Sequence, residues 1–116
     1  MKKLIKSFGY AINGLVYAFR TQLNFKLHCL AILTVVVLGS YLQLSAQEWL
    51  WIVGAITLVI IVELINTAIE TLVDMVSPQR QPKAGTIKDL AAAAVLIAAM
   101  FALIVALFIF VPKLIG

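Results

Sequence analysis

Residues 49–75, WLWIVGAITLVIIVELINTAIETLVDM, decide how this chain folds: the run is long and apolar, and it carries formal charge only at Glu63, Glu70 and Asp74. A hydrocarbon core of about 30 Å needs roughly 20 apolar residues, each rising about 1.5 Å along a helix. Two flanking stretches meet the same measure, since residues 27–46 and 90–112 contain no Lys, Arg, Asp or Glu. Among the 116 residues, 64% are hydrophobic and 12% charged, and the mean hydropathy is +1.11, which excludes a water-soluble globule and a disordered chain. Cys29 is the single cysteine, so no internal disulfide framework is possible. The net charge of +4 is not spread over a soluble basic face, which argues against nucleic acid as a partner.

The cations report topology instead. Lys2, Lys3, Lys6, Arg20 and Lys26 precede the first apolar run, and Arg80, Lys83 and Lys88 lie between the second and third. The connection at 40–48 has no Lys or Arg. Cytoplasmic loops are enriched in these residues, so the N-terminus and the 77–88 loop are expected inside, with the 40–48 turn and the C-terminus outside. Trp49 and Trp51 suit an outer aromatic belt.

Outward from the spans, Leu4, Ile5, Phe8, Ile12, Leu15, Val16 and Phe19 recur at helical spacing, with Lys3, Lys6, Tyr10, Asn13, Tyr17 and Arg20 opposite. The pattern predicts an amphipathic helix lying on the inner leaflet. In SPQRQPKAGTIKD, residues 77–89, Pro78 and Pro82 predict an extended loop, and Thr86 with Asp89 predicts a capped start to the third span. Ala91, Ala94, Ala98, Ala102 and Ala106 predict a seam for close helix packing. The expected fold is all-α and integral to the membrane, one domain over 1–116, with a surface helix at 2–24, spans at 27–46, 49–75 and 89–112, and a cytoplasmic loop at 77–88.

Function is concentrated in VELINTAIETLVD, residues 62–74. At about 100° per residue from Glu63, Asn66 falls near 300°, Thr67 near 40°, Glu70 near 340° and Asp74 near 20°, all on one face. Such side chains cannot face lipid, so a polar cleft is expected. Counted from Trp51, Glu63 lies about 18 Å deep, Glu70 about 28 Å and Asp74 about 34 Å, so the stripe runs from lipid depth into the cytosol. A conduit would need polar groups across the whole bilayer, whereas the outer half of each span has neither acid nor base. Chemistry at the inner surface fits better, although a stripe that only glues helices is the plainer alternative.

Three stretches, GYAINGLVYAFRTQLNFKLH at 9–28, VELINTAIETLVD at 62–74 and KDLAAAAVL at 88–96, resemble the small prokaryotic diacylglycerol kinase family, whose members include undecaprenol kinases. The resemblance covers nearly the whole chain. It implies a homotrimer in the bacterial inner membrane that transfers phosphate from ATP, with Mg²⁺, to the hydroxyl of a membrane lipid, undecaprenol or diacylglycerol. By the same resemblance, Glu63 would be the general base and Glu70 a Mg²⁺ ligand. Asn66 and Asp74 would support the nucleotide end, Lys88 and Asp89 would meet the phosphates, and Lys3 and Tyr10 would line the nucleotide. No GxxxxGK loop is present, yet phosphoryl transfer needs a metal, a cation on the phosphates and a positioned acceptor, and each has a candidate.

One position departs from the family pattern: Gln22 stands where a second metal-binding glutamate is usual. Its amide oxygen can coordinate a hard cation without contributing charge, which predicts weaker Mg²⁺ binding. A competing reading follows from it, a non-catalytic scaffold or regulator descended from the kinases. His28 is expected to be an interfacial hydrogen-bonding residue and Cys29 a packing residue.

Overall fold

The computed structural model describes residues 1–79 and 81–116; Arg80, counted above among the loop cations, lies outside the described residues. Among the described residues four helices follow one another: α1 Lys2–Thr21, α2 Leu23–Tyr41, α3 Ala46–Val76 and α4 Pro82–Ile115. Three of them, α2, α3 and α4, are long and apolar enough to cross a membrane, and α1 is the additional N-terminal helix. The chain is therefore an all-α, multi-pass membrane protein.

The helix ends differ from the sequence expectation at each connection. Gln22 adopts an extended conformation (φ −113°, ψ 112°) that ends α1 and starts α2, so α2 begins at Leu23 rather than 27 and ends at Tyr41 rather than 46. No proline or glycine marks this break; a single extended residue redirects the chain where the amphipathic pattern gives way to an apolar helix. At the α3–α4 connection, the loop of 77–88 shrinks to 77–81, because Pro82 occupies the first turn of α4. There a proline needs no amide hydrogen and its φ already suits a helix. Thr86 consequently caps nothing, and its hydroxyl donates to the Pro82 carbonyl one turn back (3.1 Å).

The α2–α3 turn is closed by backbone geometry. Leu44 N–H donates to Gly39 O (3.2 Å) and Gln43 N–H to Ser40 O (3.4 Å), the paired bonds of a Schellman ending, with Gln43 in the left-handed region at φ 56°. Gly39 lies so close to the Trp49 ring that a β-carbon there would stand 2.8 Å from Cη2. Ser45 then starts α3 with a reciprocal cap: its hydroxyl accepts from Glu48 N–H (3.1 Å), and the Glu48 carboxylate accepts from Ser45 N–H (2.9 Å).

Helices α3 and α4 form the most extensive pair in the chain. They run antiparallel, braced by Glu48–Lys113 at the turn end (3.3 Å) and Asp74–Lys88 at the loop end (2.5 Å). Ala91, Ala98 and Val105 are buried along the seam while Ala94 is exposed, so the contact line follows the helix twist rather than every alanine of the stripe. Leu44, Ile52, Ala55, Val105 and Phe110 make an apolar core near the α2–α3 turn. The opposite half of the interior holds Glu63, Asn66 and Thr67.

Candidate active site

Because α3 is an uninterrupted helix of 31 residues, its polar side chains stay in line over more than three turns. Glu63 is 1% exposed, the most enclosed large side chain of the described residues. Thr67 spends its hydroxyl on the Glu63 carbonyl (3.0 Å), which leaves the Glu63 carboxylate free of its own helix. One turn on, Asn66 Nδ2 donates to Glu70 Oε1 (2.9 Å). Beyond them Asp74 pairs with Lys88 of α4 in an exposed position. Polarity thus grades along one face from a buried acid, through a buried amide and a half-buried acid, to an exposed ion pair.

Two atoms stand out. Glu63 Oε2 and Asn66 Oδ1 are buried without a hydrogen-bond partner. Leaving such a group unpaired generally costs about 1–3 kcal/mol, so both positions are where a ligand group would be welcome. His28 of α2 points at the first: its Nε2 lies 3.4 Å from Glu63 Oε2, near enough to interact but not aligned as a hydrogen bond. Sequence patterning did not foresee this pairing. Periodicity along α2 says nothing about which of its faces meets α3, and the ring was expected simply at an interface.

Sequence-derived candidates fall into three groups. Glu63, Asn66, Glu70 and Asp74 share the α3 face, and Lys88 reaches it from α4. Asp89 is exposed beside Lys88, and Gln22 is half-buried at the α1–α2 break. Lys3 and Tyr10 are exposed on α1 and make no side-chain bond to this face among the described residues. It is the later part of α1, around Gly14, Tyr17 and Ala18, that lies against Thr67, Ala68 and Thr71.

For a divalent cation, the available donors are hard oxygens: the Glu70 carboxylate and the unpartnered Asn66 Oδ1. No three His, Cys, Asp or Glu side chains gather into a metal cage among the described residues. Mg²⁺ characteristically takes one or two carboxylates and completes its shell with waters and substrate phosphates, so this donor set fits Mg²⁺ brought in with a nucleotide.

A bundle of membrane-spanning helices with a graded acidic face, ending in a cation at the loop side, places the chain among multi-pass helical membrane proteins with a polar interior face. The chain matches prokaryotic diacylglycerol kinase over residues 9–110 and belongs to that family. It is 39% identical to the undecaprenol kinase of Bacillus subtilis, over 98% of this chain and 93% of that protein. With the diacylglycerol kinase of Escherichia coli K12 it shares 35% identity, over 88% of this chain and 84% of the relative. A diacylglycerol kinase of Synechocystis is 41% identical over 97% of this chain, which spans 65% of that protein. Membership supports a lipid kinase activity at the family level.

Proposed function

We propose that the chain phosphorylates the hydroxyl of a lipid alcohol at the cytoplasmic face of the membrane, using ATP with Mg²⁺, and that undecaprenol is its preferred acceptor over diacylglycerol. The observation that carries this reading is the buried Glu63 carboxylate with a free oxygen, placed about 18 Å along α3 from Trp51 and continuous with a polar face that reaches water. A lipid hydroxyl is held at that depth, and a nucleotide phosphate can approach from the loop end.

Glu63 accepts the hydroxyl proton as the acceptor oxygen attacks, a general-base contribution worth about 10²–10⁴ in rate. Glu70 and the Asn66 amide oxygen would hold Mg²⁺, with Gln22 a weaker contributor, and the ion would supply positive charge to offset that of the transferring phosphoryl group. Lys88 exchanges Asp74 for phosphate oxygens, while Asp74 and Asp89 orient the nucleotide end; Lys3 and Tyr10 line the nucleotide. Assembly as a homotrimer closes the site with surfaces from neighbouring subunits.

Preference for undecaprenol is supported by the likeness to the Bacillus enzyme along nearly its full length. A slot of about 260 Å³ between α2, α3 and α4, lined by alanine, valine, leucine and isoleucine and bordered by His28, has room for part of a hydrocarbon chain from either lipid. The test is transfer of labelled phosphate from ATP to each lipid in mixed micelles. Undecaprenol should be favoured at least about tenfold in kcat/KM, a difference of about 1.4 kcal/mol. Equal rates would remove the preference, and no transfer to either lipid would remove the kinase reading.

A further inference from the structure

Resting on the lipid kinase reading, we infer that His28 is a positioning residue for Glu63, its Nε2 accepting from the Glu63 carboxyl once that group carries the proton released by the lipid hydroxyl, and then taking the proton on. The geometry behind this is specific. Glu63 Oε2 is enclosed and without a hydrogen-bond partner, and the Nε2 of His28 stands 3.4 Å away on a different helix. The carboxylate is 1% exposed while the imidazole is 24% exposed, so the enclosed oxygen has beside it a ring that reaches the surface of the chain.

Other groups do not serve equally well. On α1 the titratable side chain facing α3 is Tyr17; on α3 itself Glu70 is engaged by Asn66; and α4 has no titratable side chain between Asp89 and Lys113. A neutral imidazole protonated on Nδ1 keeps its Nε2 lone pair free, so it can accept from Glu63 only after the carboxyl has taken up a proton. In the reaction, the lipid oxygen forms a bond to the γ-phosphorus as the bond from that phosphorus to the bridging oxygen breaks, and ADP leaves with the electron pair. The hydroxyl proton passes to Glu63 and then to His28 Nε2, and the imidazolium gives the Nε2 proton up to solvent as product leaves, which restores the Nδ1–H tautomer. Each turnover thereby leaves Glu63 ready to accept again.

His28 is the single histidine of the chain, which makes the test direct. The full-length protein in micelles is compared with His28→Gln for thermal midpoint and for kcat and KM between pH 5.5 and 8.5, at saturating ATP and Mg²⁺. Expected for His28→Gln is an unchanged midpoint, a kcat lowered about 10- to 30-fold near pH 7, KM values within about twofold, and loss of the limb over which imidazole generally changes charge. A pH profile of unchanged shape, lowered or not, would overturn the inference. Should the variant misfold, ¹⁵N signals of the His28 ring in wild type and in Glu63→Gln decide the matter. Coupled groups give titration midpoints that differ by about 0.5 pH or more, and identical midpoints would overturn it. A wild-type chain that phosphorylates neither lipid would fail the kinase reading instead, and the NMR comparison would still report on the pair.

Discussion

Glu63 joins two properties that seldom coexist in a membrane interior, near-total burial and an unpartnered oxygen. Replacing it with glutamine keeps size and hydrogen-bonding capacity while removing the proton acceptor. Glu63→Gln should lower kcat by about 10²–10⁴ with the helix content and thermal midpoint preserved; a fall in the midpoint with no separate loss of turnover would assign the residue to packing. Gln22 is the second residue with a distinct expectation. Adding a negative oxygen donor with Gln22→Glu should reduce the Mg²⁺ concentration at half-maximal rate by about 3- to 10-fold, read from activity against free Mg²⁺. An unaltered Mg²⁺ curve would take Gln22 out of the metal's surroundings. The acidic stripe itself was legible from the spacing of residues 62–74, because helical angles follow from residue number. The His28 contact was not, because it joins residues 35 positions apart in sequence on separate helices.

Helix ends are where local sequence and packing can be weighed separately. The S-x-x-E pattern at Ser45–Glu48 is a readable capping box and starts α3 as such a pattern should. By contrast, the Thr86–Asp89 start failed against Pro82, whose fixed φ let α4 begin a full turn earlier. The α2–α3 turn supplies a pair of opposed predictions. At Gln43 the left-handed backbone strains an ordinary residue, so Gln43→Gly should raise stability by up to about 1 kcal/mol and lift the thermal midpoint in detergent. At Gly39 a methyl would press on the rigid Trp49 ring, so Gly39→Ala should cost about 1–3 kcal/mol and lower it. Midpoints moving in the same direction would mean that the turn is not held as described.

Across the whole molecule, ion pairs at opposite ends of the α3–α4 hairpin separate a hydrated loop end from a turn end packed around Leu44, Ile52 and Phe110. Many large apolar side chains on all four helices remain exposed in the single chain, as expected where lipid surrounds the helices. The distribution of Lys and Arg predicts the loop end inside. In a Cys29→Ser background, a cysteine at Gln43 should react with a membrane-impermeant maleimide added to intact cells, and one at Gln79 only after permeabilisation. The reverse pattern would put the acidic face on the wrong side for ATP.

From the sequence alone came the three apolar runs, the amphipathic helix before them and the alignment of Glu63, Asn66, Glu70 and Asp74. These depend only on composition and on a period of about 3.6 residues, which each helix imposes on itself. Tertiary structure alone decided which side chains meet: His28 with Glu63, Lys88 with Asp74, Gly39 with Trp49. Such meetings depend on how far each helix is rotated about its axis and where it is broken, as at Gln22. Those variables are set by side-chain packing between helices, which no periodicity within one segment encodes.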